Sequence, residues 1–299
     1  MGFANVAEYA NADEDGRVWI TGFRKAVSAA ATVTSSYIDY TYFAGSPLAN
    51  FYASTPLESA LLDDSRGIFL PNVGSASLYL KNITAMSLSS AQNSSASQRQ
   101  QMILCDYLMY YPFFDTDSID LQETIAVATL PTRYPYGKVI AIAQAAAASI
   151  GQFTFSYTNQ DGVGGRTSPN IFTQIVGGGG QSLNAAISGG GFHPYLPLQT
   201  GDIGVKSIES VTFTASGGGL MALVIVQPIR SFFISHECRR TTSGNLESYG
   251  AAVSVDSLIH EAKAPEIKSG AILGFLSAGH GGSLASSTLV GLIETTWSN

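Results

Sequence analysis

Apolar, aromatic and β-branched residues recur at every second position in short stretches, and each stretch closes in a cluster of Gly, Pro, Asn, Asp or Ser. A helix needs apolar residues three or four apart, so a period of two restricts a chain to pleated strands with one buried face. Gln152-Phe153-Thr154-Phe155-Ser156-Tyr157-Thr158 is the cleanest case, and Arg17–Arg24, Tyr37–Phe43, Ala76–Leu88 and Ser207–Ala215 follow the same rule. Met102–Phe114 and Leu220–Gln227 are apolar almost throughout, as in strands covered on both faces. Pro112 limits how far the first of these can pair.

Turn signals order these strands. Asp161-Gly162 ends the 152–158 stretch as a hairpin turn, and Gly217-Gly218-Gly219 joins Ser207–Ala215 to Leu220–Gln227 as a second hairpin. Asp63–Gly67 marks another turn, and the Ser- and Gln-rich stretch Ser89–Gln101 reads as an exposed loop. Lys138–Ala148 begins as a strand at Val139–Ile142, while Ala145–Ala148 alone favours helix. Ile171–Val176, Ala271–Leu276 and Thr288–Trp297 supply further strands. One brief helix is expected within residues 2–12, ended by Asp13-Glu14-Asp15-Gly16. Many short strands without alternating helices predict an all-β protein, an antiparallel β-sandwich of the jelly-roll type. The expected division is an N-terminal sandwich over 1–132 and a C-terminal one over 133–299, joined at Pro131-Thr132; a single larger jelly roll is the rival.

Charge narrows the partners. Of 299 residues only 12 % are charged, about half the ~25 % usual in soluble proteins, so little repulsion holds copies apart. The net charge is −7 and no basic run occurs, the densest cluster being Arg239-Arg240 with Arg230 nearby; nucleic-acid binding is not expected. The start of the chain lacks the basic and apolar regions of a secretory signal, Val6 breaks a myristoylation signal, and no long apolar run exists, so no membrane partner is expected. Cys105 lies in an apolar run and reads as a buried free thiol, whereas the polar neighbours of Cys238 place it nearer the surface. Two distant cysteines form neither a disulfide framework nor a zinc pattern and fit a reducing site of synthesis.

No set of residues completes a catalytic constellation. Asp115-Thr116-Asp117-Ser118-Ile119-Asp120 invites a calcium reading, but Ile119 stands at the third ligand position and the Gly of a calcium loop is missing; an acidic turn is the simpler account. Gly177–Gly180 lacks the Lys of a phosphate-binding loop, and Gly189-Gly190-Gly191 follows too soon for a helix between; both read as flexible turns. His193, His236, His260 and His280 have no metal-ligand spacing, and Gly279-His280-Gly281-Gly282 has no nucleophile elbow to serve. Glu209, Asp202 and Glu237 are candidates for the carboxylate pair of a glycosidase, yet nothing in the sequence pairs them. Tyr134-Pro135-Tyr136 and Phe192-His193-Pro194-Tyr195 offer aromatics for a sugar-binding face, a role core packing explains more often. The expectation is a protein without catalytic, cofactor or metal residues.

Several phrases resemble a family of tailed-bacteriophage virion structural proteins. They are the Phe3-Ala4-Asn5-Val6 opening; Asp106–Phe113 with Asp115, Asp117 and Ser118; Thr129-Leu130-Pro131 with Arg133-Tyr134; Tyr157–Val163 with Gly165-Arg166; Pro197–Val205 with Ser207; and Gly291–Trp297. The resemblance spans most of the chain and rests on structural phrases. It implies a particle component, made in the host cytoplasm, whose partners are its own copies and the major capsid or other virion proteins. Head exterior, neck and tail all remain open, with decoration of the head the first expectation and a receptor- or glycan-binding module the alternative.

Overall fold

The computed structural model describes residue 3 and residues 6–27, 36–89, 99–183, 193–240, 246–250, 253–256, 264–280 and 287–298. Among them one short helix, α1 (Val6–Asn11), precedes a succession of strands. The first part of the chain forms β1 (Val18–Ala26), β2 (Tyr37–Asp39), β3 (Gly45–Ser46), β4 (Leu78–Ser89), β5 (Arg99–Asp115) and β6 (Leu121–Glu123). The middle forms β7 (Lys138–Ala143), β8 (Gln152–Asn159), β9 (Arg166–Thr167), β10 (Ile171–Phe172), β11 (Val205–Ala215) and β12 (Leu220–Arg240). The last part forms β13 (Leu246–Gly250), β14 (Val253–Asp256), β15 (Glu266–Ile267), β16 (Leu273–His280) and β17 (Ser287–Trp297).

These strands make three antiparallel sheets packed as sandwiches, as the alternation predicts. The central sheet runs β13-β12-β5-β16-β2, with β7 also on β12. A second runs β14-β4-β17-β1-β3, with β15 on β4, and a third runs β10-β8-β11-β6, with β9 on β8. Alternate residues of the central sheet serve different cores. Met102, Leu104, Phe232 and Ile234 pack against Phe23, Leu80, Ile83 and Leu289 of the second sheet. Farther along, Met109, Tyr111, Leu223 and Ile225 meet Phe153, Phe155, Val211 and Phe213 of the third. The opposite face, with Ile103, Cys105, Tyr107, Val224 and Val226, is covered by Tyr52 and Leu62. Each such side chain withdrawn from water contributes about 1.5–3 kcal/mol, which is why the period-two pattern dictates the layers.

The expected division near Pro131-Thr132 does not separate these packing units. β5 lies before it and β12 after it, yet they pair from Leu220↔Asp115 to Ser235↔Arg99. β17 likewise lies between β1 and β4. Two long strands therefore run through both cores, and one core is built from the middle of the chain while the other combines its two ends.

Local departures have local causes. Tyr37–Phe43 is a strand only to Asp39; the Asp39 carboxylate then accepts from Thr41 N and caps a 3-10 turn at Tyr40–Tyr42. Pro112 does not end its strand. Pro112 and Phe113 together oppose the single residue Ala222, a bulge of one extra residue with Phe113 at φ 62°. β11 and β12 are not a hairpin: β11 pairs with β8 and β6, whereas β12 pairs with β5 and β7. Gly218 and Gly219, at φ 70° and 102°, turn the chain from one sheet into another. A Cβ at Gly219 would stand 2.3 Å from Ala146 O, so the 145–148 stretch is packed loop and not helix. The Asp161-Gly162 turn does join an adjacent antiparallel pair, β8 and β9. In the expected loop Ser89–Gln101, Arg99–Gln101 already belongs to β5 and residues 90–98 lie outside the described set.

Candidate interaction surfaces

Two buried polar networks tie loops to the central sheet. Asp106 of β5 is fully buried and accepts from Arg133 Nε at 2.7 Å, Arg133 Nη2 at 2.8 Å and Ile272 N at 2.9 Å. Burial pushes its carboxyl up, and the Arg133 hydrogen bonds pull it back. Asp39 is also fully buried; Tyr52 OH donates to it in a very short contact, Tyr107 OH at 2.8 Å and Thr41 Oγ1 at 2.7 Å. Its carboxyl too is raised by burial. Lys25, pushed down to about 8 by burial, donates to Phe43 O and Leu48 O. Each network spends its polar atoms on its own neighbours, so both read as pins that set loop positions.

The carboxylates singled out from the sequence are tied up in a similar way. Asp202 accepts from Arg166, Tyr157 OH and Asn159 Nδ2, and these contacts, Arg166 first, hold it down at about 2. Glu209 sits in a bulge of β11. Burial pushes its carboxyl up, but donation from Thr158, Ser156 and Gly165 N outweighs that and lowers it. A glycosidase acid needs a raised carboxyl facing a second one, and neither group is so poised. The Glu237 side chain lies outside the described residues.

The acidic 115–120 turn disperses its carboxylates. Asp115 accepts from Asp117 N, Asp117 from Ser216 Oγ and Asp120 from Ser118 Oγ. Among the described residues no three His, Cys, Asp or Glu side chains gather as a metal site. The Gly177–Gly180 run is a packed turn: a Cβ at Gly179 would lie 2.3 Å from Tyr42 OH, and one at Gly180 2.7 Å from Phe43. Gly189–Gly191 lies outside the described residues, as do His260, Phe192 and the side chains of His236, His280, Cys238, Arg239 and Arg240. Cys105 is free and buried, with its thiol pushed up by burial. Tyr134 is half-buried on one core and Tyr195 on another, with His193 stacked on Tyr195 at 5.8 Å.

What the surface does present is apolar. Ile119, Leu121, Ile125 and Val127, on and around β6, are 58, 57, 54 and 64 % exposed. Leu61, Phe51 and Ile20 are exposed as well. The period-two spacing of 119–127 was legible in the sequence, but periodicity does not tell an inward stripe from an outward one. Elsewhere Phe69 lines a cleft of about 530 Å³ between residues 68–78 and Glu266–Ala271, which also holds the Lys268–Glu266 ion pair at 2.6 Å. Trp19 lies beside Phe69, ring centroids 6.0 Å apart.

No described helix is long and apolar enough to cross a membrane. Comparison with known proteins found no matching family model, no matching curated protein and no matching solved structure.

Proposed function

We propose that this chain is a non-enzymatic structural subunit of a bacteriophage particle, placed on the capsid exterior as a decoration or stabilising protein that binds the particle and its own copies. The observation that carries the reading is the group of exposed apolar side chains on and beside the edge strand β6 of a sparsely charged chain. Such groups are costly on a free monomer and ordinary where a neighbour covers them. The ion pairs Arg133–Asp106 and Arg166–Asp202 support it too, because they fix loops into a stiff body suited to repeated contacts. The test is antibody labelling of intact particles viewed by electron microscopy. Even label over the head is the expected result; label confined to the neck or tail overturns the placement, and no label overturns a place on the particle's exterior.

A second reading, a receptor- or glycan-binding module of a tail or head appendage, rests on the cleft with Phe69 in its wall and Trp19 beside it. An apolar ring flanked by polar groups suits a sugar face. This reading expects the isolated protein to retain cells or polysaccharide, and Phe69→Ala to abolish the retention without lowering the unfolding temperature.

A further inference from the structure

Among the described residues β6 is the last strand of its sheet and pairs with β11 alone, through Leu121↔Thr212, Gln122↔Val211 and Glu123↔Ser210. The next residue, Thr124, donates its N–H to Glu209 O at 2.9 Å. Antiparallel strands turn the backbone groups of alternate residues to the same side, so those of Gln122 also face β11 and those of Leu121 and Glu123 face the open edge. Natural sheet edges are usually blunted by Lys, Pro or a covering segment. Here the Leu57–Ser59 segment covers that side at Ile125, which donates to Leu57 O and accepts from Ser59 N, and the stretch left open is Leu121–Glu123, with Leu121 57 % exposed.

The charge on this edge has one sign. From Asp115 to Thr132 the chain has Asp115, Asp117, Asp120 and Glu123 and not one Lys or Arg. Glu58 adds a fifth acidic residue through its bridge to Ile125. Among the described residues none of these carboxylates is paired with a cation. Two-fold pairing of β6 with β6 of a second copy would bring two such acidic segments side by side with no cation between them, which is unfavourable.

We propose that the free edge of β6 is a strand-addition site for an extended apolar segment of a different protein, flanked by lysine or arginine. The backbone of Leu121 and Glu123 supplies the ladder hydrogen bonds, Ile119 and Leu121 supply the apolar contact, and the carboxylates select the basic flanks. This deepens the reading of the chain as an assembly protein and rests on it. The binding assay uses the isolated chain, so its failure leaves the particle-labelling result standing.

The test is fluorescence anisotropy of the full chain with a labelled peptide of alternating valine and threonine ending in lysine on both sides. A glutamate-ended version and one with proline in place of the central valine serve as comparisons. The lysine peptide is expected to bind about tenfold tighter than either. It should also slow amide exchange at Leu121 and Glu123. Leu121→Lys should weaken it by a similar factor while leaving the unfolding midpoint unchanged, because Leu121 is exposed. No binding at millimolar peptide, equal binding of the lysine and glutamate peptides, or binding without amide protection overturns the proposal. Self-association of the chain that Leu121→Lys abolishes would make a second copy the occupant and overturn the assigned partner chemistry.

Discussion

Replacing Arg133 with Met tests whether the Asp106 pair holds the 129–136 segment onto the central sheet. Arg133 is 15 % exposed and Asp106 0 %, and the guanidinium fork meets both carboxylate oxygens. Removing one partner of a buried pair costs about 3–5 kcal/mol, since the other is left uncompensated. The stranded group here is the wholly buried carboxylate, with Ile272 N as its remaining partner, so the upper part of that range applies. For a chain of this size that corresponds to an unfolding midpoint lower by roughly 10 °C.

The pH dependence has a definite sign. Asp106 already lies above its ordinary value of 3.8, chiefly through burial, and loss of Arg133 raises it further. An acid raised in the folded state contributes stability below its unfolded value, and loses it as pH rises through the folded one. The deficit of Arg133→Met relative to the native chain should therefore be small near pH 4 and full at pH 7. Urea unfolding at both values checks this. A deficit under about 1 kcal/mol at pH 7, or one that shrinks as pH rises, refutes the reasoning. The double variant Asp106→Leu with Arg133→Met should recover much of the loss, because no charge is then left buried.

Three further outcomes follow from the same geometry. Gly274→Ala should cost about 1–3 kcal/mol by urea unfolding, because its Cβ would stand 2.3 Å from Thr41 Cγ2 and 2.8 Å from Tyr107 Cε2, both partners of Asp39. Asp202 is held down at about 2, so its contribution is present above 3.8 and lost as pH falls between those values; Asp202→Asn should flatten the acid limb of the stability profile there. In a Cys238→Ser variant, the Cys105 thiol should resist a thiol reagent in the folded protein and react fully in denaturant, as a buried thiol raised by desolvation must.

The elements were more legible than their pairing. Gln152–Thr158 announced β8 and its buried face, because side chains that alternate in kind must alternate in environment. Tyr37–Phe43 alternates nearly as well, yet breaks at Asp39, whose carboxylate caps a 3-10 turn through Thr41 N and is held in place by Tyr52 and by Tyr107, 68 residues away. Likewise the Gly-rich turn at 217–219 looks like a hairpin from within, while the partners of β11 and β12 are set by strands elsewhere. Of the surfaces, the acidic turn was visible and the open edge beside it was not, since an edge exists only once a sheet has an order.

By itself, the sequence determined an all-β antiparallel chain with a short N-terminal helix, a buried thiol and few charges. Those properties depend on residue type and on spacing over a few positions, where sterics and transfer from water act locally. The tertiary structure alone decided that β5 and β12 run through two cores, that Asp106 meets Arg133 and that Leu121 faces solvent. Each of these turns on which strands come together across long stretches of chain, and that is settled by the joint burial of all the sheets.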